Sequence, residues 1–271
     1  MQPQYVTVKD VSLAYIEKNP EAKDTIFFIH GNSSSAKIWA EQFISPQLSR
    51  YRLIAVDLPA HGNSSKGNDY SLPGIGRILS LALVSLIAAG DYIIAGLSLG
   101  TNILAEMLAY DIEPAGLIVM GSCMLGTGYG MEKVFKPGID MHAAFTDTVS
   151  EEELKQYWRL AGVSAADRNK YKNFAEDYTA VKDSFRSKMF ATVGEGKLSD
   201  QIGLLEKSGI PSLVIFGEEE LVCDKDYLDN SAINLWNNKV YKLPQAGHLV
   251  PLDKQEELNL LIRDFARDIF K

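Results

Sequence analysis

Apolar positions in this chain follow two rhythms. From Thr25 onward, short and nearly continuous apolar runs alternate with longer amphipathic stretches. The runs are TIFFIH (25–30), RLIAVDL (52–58), YIIAGLS (92–98), AGLIVMG (115–121), SLVIFG (212–217) and NKVYKL (238–243). Unbroken runs rich in Ile and Val predict strands covered on both faces. The intervening pattern predicts helices near 36–48, 73–89, 99–110, 200–208, 224–236 and 253–270. In the last of these, Leu258, Leu260, Leu261, Phe265 and Ile269 form an apolar stripe. Ahead of Thr25, YVTVKD and VSLAYIE alternate with a period of two, which predicts a hairpin or two edge strands. Strand and helix in alternation predict a mostly parallel central sheet with helices on both faces.

One interval breaks the alternation. Between Ser122 and Leu198 there is no strand-like run, yet Phe135, Phe145, Tyr157, Trp158, Phe174, Tyr178, Phe185 and Phe190 fall within it. A structureless loop of that length is incompatible with a compact domain. The expectation is a helical cap at 122–198 inserted into a core made of 1–121 and 199–271.

Composition narrows the class. The chain has 271 residues, 46% apolar and 23% charged, as an ordinary globular protein has. Net charge is −8 and no Lys/Arg stripe is present, which argues against nucleic acid as a partner. The longest nearly apolar run, Ile78 to Gly90, is too short to span a bilayer, and the first residues carry no basic start or apolar h-region. Cys123 and Cys223, far apart in sequence, do not make a disulfide framework and fit a reducing compartment. A cytoplasmic protein without membrane partners, monomeric or homodimeric, is expected.

Candidate chemistry begins at AGLSLGTN, where Gly96, Ser98 and Gly100 make G-x-S-x-G. The pentapeptide alone is a weak signal. Here it follows the strand DYIIA and opens the helix TNILAEMLAY, the setting a nucleophile elbow requires. A serine needs a base. Of the four histidines, His142 falls in the cap, His30 ends a strand and is expected to brace the loop backbone, and His61 is expected to shape a turn. His248, in LPQAGHLVP between the last strand and the last helix, is the candidate base, and the order nucleophile first, histidine last agrees. An oxyanion formed at Ser98 needs two N–H donors. Leu99, at the helix N-terminus, is one. Asn32, turned toward the site by Gly31 in FIHGNSSS, is the other, and Ser35 there is placed to cap the following helix.

HGN, DLPAHGNS, GLSLG, FGEEEL and AGHLVP, in that order and spacing, resemble the α/β-hydrolase fold superfamily over essentially the whole chain. The resemblance implies a catalytic acid in a G-x-x-D/E pattern after the strand that follows the cap, which places Glu220 there, with Asp224 as the alternative. No cofactor is expected, and the four histidines are too scattered to form the close-packed motif of a zinc site. Asp at the elbow marks dehalogenases and epoxide hydrolases of this fold, and Ser98 argues against both. The glycines of GSCMLGTGYGM do not complete a dinucleotide motif, because Met131 stands in place of the third.

HGNSSSAKIW, FKPGIDM, SEEELKQY and the G-x-x-E acid are similar, more narrowly, to the metal-independent N-acyl-homoserine lactone lactonases of this fold. That resemblance implies a substrate-facing Tyr157. Two departures stand out: Leu97 where that family has a bulky aromatic, which is expected to alter the pocket wall beside the nucleophile, and Ala60 where it has Gly. The reaction expected is hydrolysis of a small ester or lactone with an apolar tail. General ester cleavage, C–C bond cleavage, cyanohydrin lysis and slow-turnover ligand reception are open alternatives on the same triad. A C–C hydrolase acting on diketo acids needs a cationic pair, for which Arg159, Arg168 and Arg186 are candidates, each expected to be solvent-exposed.

Overall fold

A computed structural model describes residues 2–162 and 172–271. The expectations placed on Arg168 and on the Phe174 side chain lie outside the described residues. In chain order the elements are β1 (Gln4–Val8), β2 (Val11–Lys18), β3 (Thr25–Ile29), α1 (Ala40–Ile44), β4 (Arg52–Val56), α2 (Leu72–Leu86), β5 (Tyr92–Leu97), α3 (Leu99–Met107) and β6 (Gly116–Met120). Then come α4 (Met131–Val134), α5 (His142–Phe145), α6 (Glu151–Leu160), α7 (Lys172–Ala180) and α8 (Phe185–Gly194). The chain closes with α9 (Gln201–Ser208), β7 (Ser212–Gly217), β8 (Tyr241–Leu243), α10 (Val250–Asp253) and α11 (Gln255–Ile269).

The eight strands form one sheet in the order β1-β2-β4-β3-β5-β6-β7-β8. β1 and β2 make the expected hairpin, β2 pairs antiparallel with β4, and every pairing from β4 to β8 is parallel. Successive side chains of a strand point to opposite faces, and the core divides accordingly. Phe27, Ile29, Ile94, Leu117, Val119, Val214 and Phe216 pack with Ile75 and Leu79 of α2, Ile103 of α3 and Leu205 of α9. Ile26, Phe28, Ile93, Ala95, Leu97, Ile118 and Ile215 pack on the other face with Phe43 of α1 and Leu258, Ile262 and Phe265 of α11. This is the α/β-hydrolase fold. Residues 122–198 contribute α4 to α8 between β6 and β7 and, among the described residues, no strand beyond single bridges.

Three expected elements differ. The helix over 36–48 is broken into 3₁₀ turns at Ala36–Trp39 and Pro46–Leu48 flanking α1, because Pro46 forces Ser45 into an extended conformation (φ −63°, ψ 128°). The strand 238–243 shrinks to β8, since Asn237 and Asn238 take left-handed backbones with φ of 56° and 55°. No helix forms over 224–236. The chain there makes separate turns closed by i→i+3 bonds, from the Tyr227 N–H to the Asp224 carbonyl, from Asp229 to Asp226 and from Ser231 to Leu228.

Candidate active site

Four loops leave the carboxyl ends of β3, β5, β7 and β8 and meet over the middle of the sheet. Ser98 stands between β5 and α3 with φ 52° and ψ −121°, a backbone that L-residues hold only under external constraint. The constraint is close packing. A Cβ on Gly96 would lie 2.5 Å from the Gly100 carbonyl oxygen, and one on Gly100 would lie 2.4 Å from that of Ile29. Only glycine lets the strand, the turn and the helix approach in this way. Leu99 is the first residue of α3, so its N–H has no carbonyl partner inside the helix.

His248 and Glu220 come together from β8 and β7. His248 Nδ1 lies 2.7 Å from Glu220 Oε2, with the Glu220 side chain wholly buried and His248 5% exposed. The other carboxylate oxygen accepts the Val222 N–H at 2.8 Å and the Cys223 N–H at 3.4 Å. Burial opposes ionisation of Glu220, but the facing imidazole and these two N–H groups outweigh it and hold the carboxyl below its usual range. Burial likewise opposes protonation of His248, and the Glu220 charge and hydrogen bond outweigh it, pushing the imidazole up to about 9. Nδ1–H donates to Glu220, which leaves Nε2 as the bare nitrogen of the neutral ring. The Gly247 N–H, donated to Asp253 Oδ2 at 2.9 Å, steadies this loop. Asp224 is exposed and engaged with Asp226, and Glu218 and Glu219 are exposed.

The β3 loop is braced from both sides. His30 Nδ1 donates to the Gly31 carbonyl at 2.7 Å and Nε2 accepts the Leu58 N–H at 2.9 Å. His61 Nδ1 donates to the Pro59 carbonyl at 3.0 Å and Nε2 accepts the Ser33 N–H at 3.2 Å. Burial lowers the pKa of both imidazoles, so each works as a neutral donor–acceptor strut. His142, by contrast, is exposed near Glu153. From the insertion, the Ala144 carbonyl accepts Asn32 Nδ2 at 2.7 Å. Arg186 donates to Ser33 Oγ at 3.0 Å, to the Tyr178 carbonyl at 3.1 Å and to the Thr146 carbonyl at 2.8 Å. Arg186 was expected at the surface and is instead 5% exposed, with its guanidinium over the Tyr178 ring at 4.2 Å.

Ser98, His248, Asn32, Leu99 and Tyr157 all line one cavity, about 880 Å³ of non-atom space including its mouth. Its remaining wall is mainly apolar, including Leu125, Phe135, Phe145, Met189, Phe190 and Val222, and among the described residues no Lys or Arg lines it. Phe145 and Phe190 stack with centroids 4.1 Å apart. Tyr157 is delivered by α6, which starts in a capping box: Ser150 Oγ accepts the Glu153 N–H and Glu153 accepts the Ser150 N–H. Burial pushes the Tyr157 phenol up, so it stays protonated. Leu97 does not line the cavity. It follows the alternation of β5 and packs with Ile93 and Ala95 in the face toward α11. Arg159 is largely exposed in α6, and Arg186 is committed to the Asn32–Ser33 turn, so neither supplies a cation to the cavity.

Sequence reasoning passed over one neighbour of the site. Cys123 and Cys223, a hundred positions apart, place their sulfurs 3.1 Å from each other, and Cys123 Sγ lies 3.8 Å from Ser98 Oγ. Each cysteine closely follows a strand of one parallel pair, β6 and β7, and that adjacency is set by the order of strands in the sheet.

Residues 26–259 match the family described as the alpha/beta hydrolase family. The rat (Rattus norvegicus) monoacylglycerol lipase ABHD6 is 23% identical over 99% of this chain and 83% of its own length. The uncharacterized hydrolase YugF of Bacillus subtilis is 24% identical over 96% of both chains. Among solved structures, the N-acyl homoserine lactonase AidH complexed with N-butanoyl homoserine superposes with a TM-score of 0.88 at 26% identity, covering 100% of this chain and 98% of that one. Among the described residues no helix is long and apolar enough to cross a membrane.

Proposed function

Because this chain belongs to the alpha/beta hydrolase family, we propose that it hydrolyses carboxylic esters or lactones with an apolar acyl tail through an acyl-enzyme on Ser98. The observation that carries this reading is Ser98, held at a strained strand-to-helix turn, opening into the same apolar cavity as an imidazole bonded to a buried carboxylate. In the reaction, Ser98 Oγ turns from Cys123 toward His248 Nε2, loses its proton there and attacks the substrate carbonyl. Glu220 keeps the ring in the tautomer that can accept this proton and stabilises the imidazolium that results. The Leu99 and Asn32 N–H groups receive the oxyanion. His248 then returns the proton to the leaving alcohol, and a water repeats the sequence to free the acid.

The insertion acts as the cap over this chemistry. Its Phe145, Met189 and Phe190 supply an apolar wall suited to an acyl chain. Tyr157 acts as a hydroxyl donor to a polar group near the scissile carbonyl, which an amide-bearing lactone provides. The likeness to the lactonase AidH makes N-acyl-homoserine lactones the first substrates to try. The absence of cationic side chains around the cavity, among the described residues, disfavours diketo acids.

Purified wild type and Ser98→Ala would be assayed against aryl esters and against N-acyl-homoserine lactones of several chain lengths. Wild type is expected to turn over both classes, and Ser98→Ala neither. Ester cleavage without lactone opening would reduce the reading to a carboxylesterase. Unchanged turnover in Ser98→Ala would refute the mechanism, and tight binding of a lactone with negligible turnover would point to a receptor.

A further inference from the structure

We propose that Cys123 and Cys223 form an oxidisable dithiol, closed to a disulfide by a hydroperoxide that enters through the substrate cavity. Topology brings the pair together. Cys123 leaves the end of β6 and Cys223 follows β7, and these neighbouring parallel strands deliver both thiols to the same edge of the sheet. The sulfurs stand 3.1 Å apart, and both thiols are free and buried. A disulfide needs about 2.05 Å, so the pair must close by about 1 Å. The two thiols are not equivalent. Cys123 lines the cavity, 3.8 Å from Ser98 Oγ, whereas Cys223 is wholly enclosed behind it. The hydrogen bond from Cys223 lowers the Cys123 thiol, against burial and with help from the His248 charge, while burial raises Cys223. Reactivity and access therefore coincide at Cys123.

The chemistry balances with the hydroperoxide as the only oxidant. The Cys123 thiolate attacks the outer oxygen, the O–O bond breaks and an alcohol (water, from hydrogen peroxide) departs, leaving a sulfenic acid. The Cys223 thiol attacks that sulfur, the S–O bond breaks and water leaves with the Cys223 proton. Two thiols lose two electrons, and the peroxide bond takes them up. Closure draws Cys223 toward Cys123, and the Val222 and Cys223 N–H groups that hold Glu220 Oε1 lie on the moving segment. Displacing a catalytic group by about 1 Å is enough to lower turnover by about tenfold to a hundredfold. This effect on turnover rests on the serine-hydrolase reading, whereas formation of the cross-link does not.

The test treats reduced full-length protein with hydrogen peroxide. It then counts thiols after denaturation, measures intact mass, maps peptides without reduction and follows ester hydrolysis before and after dithiothreitol. The proposal expects loss of both thiols, a mass lower by two hydrogens, a peptide joining Cys123 to Cys223, and a fall in turnover that dithiothreitol reverses. Cys223→Ala is expected to gain oxygen at Cys123 and to form no such peptide. Oxygen adducts on the wild type without a cross-link, or thiols that survive peroxide, would overturn the dithiol. A cross-linked protein with full turnover would overturn its hold on the site. Protein that hydrolyses nothing before oxidation would instead overturn the hydrolase reading, with the mass and peptide readouts still deciding the dithiol.

Discussion

Glu220→Gln isolates the electrostatic part of the site from its shape. Gln matches Glu in size, and its amide oxygen can still accept the Val222 and Cys223 N–H groups that now hold Oε1. What disappears is the charge beside His248. The rise of that imidazole from 6.5 to about 9, achieved against burial, corresponds to about 3 kcal/mol of preference for the protonated ring. Imidazolium forms in the transition state, so about that much stabilisation is lost, a drop of about 10² in rate. A Gln NH₂ facing Nδ1 also favours the wrong tautomer. The comparison belongs on the alkaline plateau, where both rings start neutral. The base must be unprotonated to act, so a raised pKa moves the acid limb of kcat/KM up, toward about 9 in the wild type. In Glu220→Gln the limb falls to the ordinary imidazole range of about 6.5 or below. The deficit is therefore largest at high pH and shrinks toward neutrality, where the wild-type ring is mostly protonated. Kcat/KM for an aryl ester between about pH 6 and 10 checks both points. A plateau loss under tenfold, an unmoved acid limb, or a larger effect from Asp224→Asn would refute the assignment of Glu220.

Three further perturbations follow. Gly100→Ala drives a Cβ to within 2.4 Å of the Ile29 carbonyl oxygen, a backbone atom that cannot yield without distorting β3. A cost of about 3 kcal/mol should lower the melting temperature by about 6–12 °C in a thermal scan, and a change under about 2 °C would show that the elbow tolerates a methyl group. Arg186→Met removes the donors to the Thr146 and Tyr178 carbonyls and leaves Ser33 Oγ only its hydrogen bond to Asn32 Oδ1. Loss of about 2–4 kcal/mol in denaturant unfolding is expected, with Arg186→Lys intermediate, and kcat should fall more than KM rises because the Asn32 turn loosens. Phe190→Ala breaks the stack with Phe145 and lengthens the apolar end of the cavity. Room for about two more methylenes, at about 0.8 kcal/mol each, should shift selectivity toward longer acyl chains by about tenfold, read from kcat/KM across an ester series.

The alternation of apolar runs and amphipathic stretches was enough to determine the parallel sheet and its two covering layers, because strand and helix periodicities are local properties of the chain. The sharp turn at Ser98 was legible for a related reason: it needs glycines at fixed offsets, and Gly96 and Gly100 each stand where a Cβ would strike backbone. Glu220 rested on a resemblance, and the 2.7 Å approach to His248 distinguishes it from four other carboxylates within FGEEELVCDKD. Local pattern misled where the backbone conformation of single residues overrode it, as at Ser45 before Pro46 and at Asn237 and Asn238 before β8. Pro46 broke the helix expected over 36–48, and the chain over 224–236 closes separate i→i+3 turns instead of a helix. Tertiary structure alone decided the long-range partners. It turned Leu97 away from the cavity, drew Arg186 out of solvent to hold Ser33, and set Cys123 against Cys223 beside the serine. Those meetings depend on which strands are neighbours and how the insertion folds back over them, and no spacing along a single chain encodes a distance between segments a hundred residues apart.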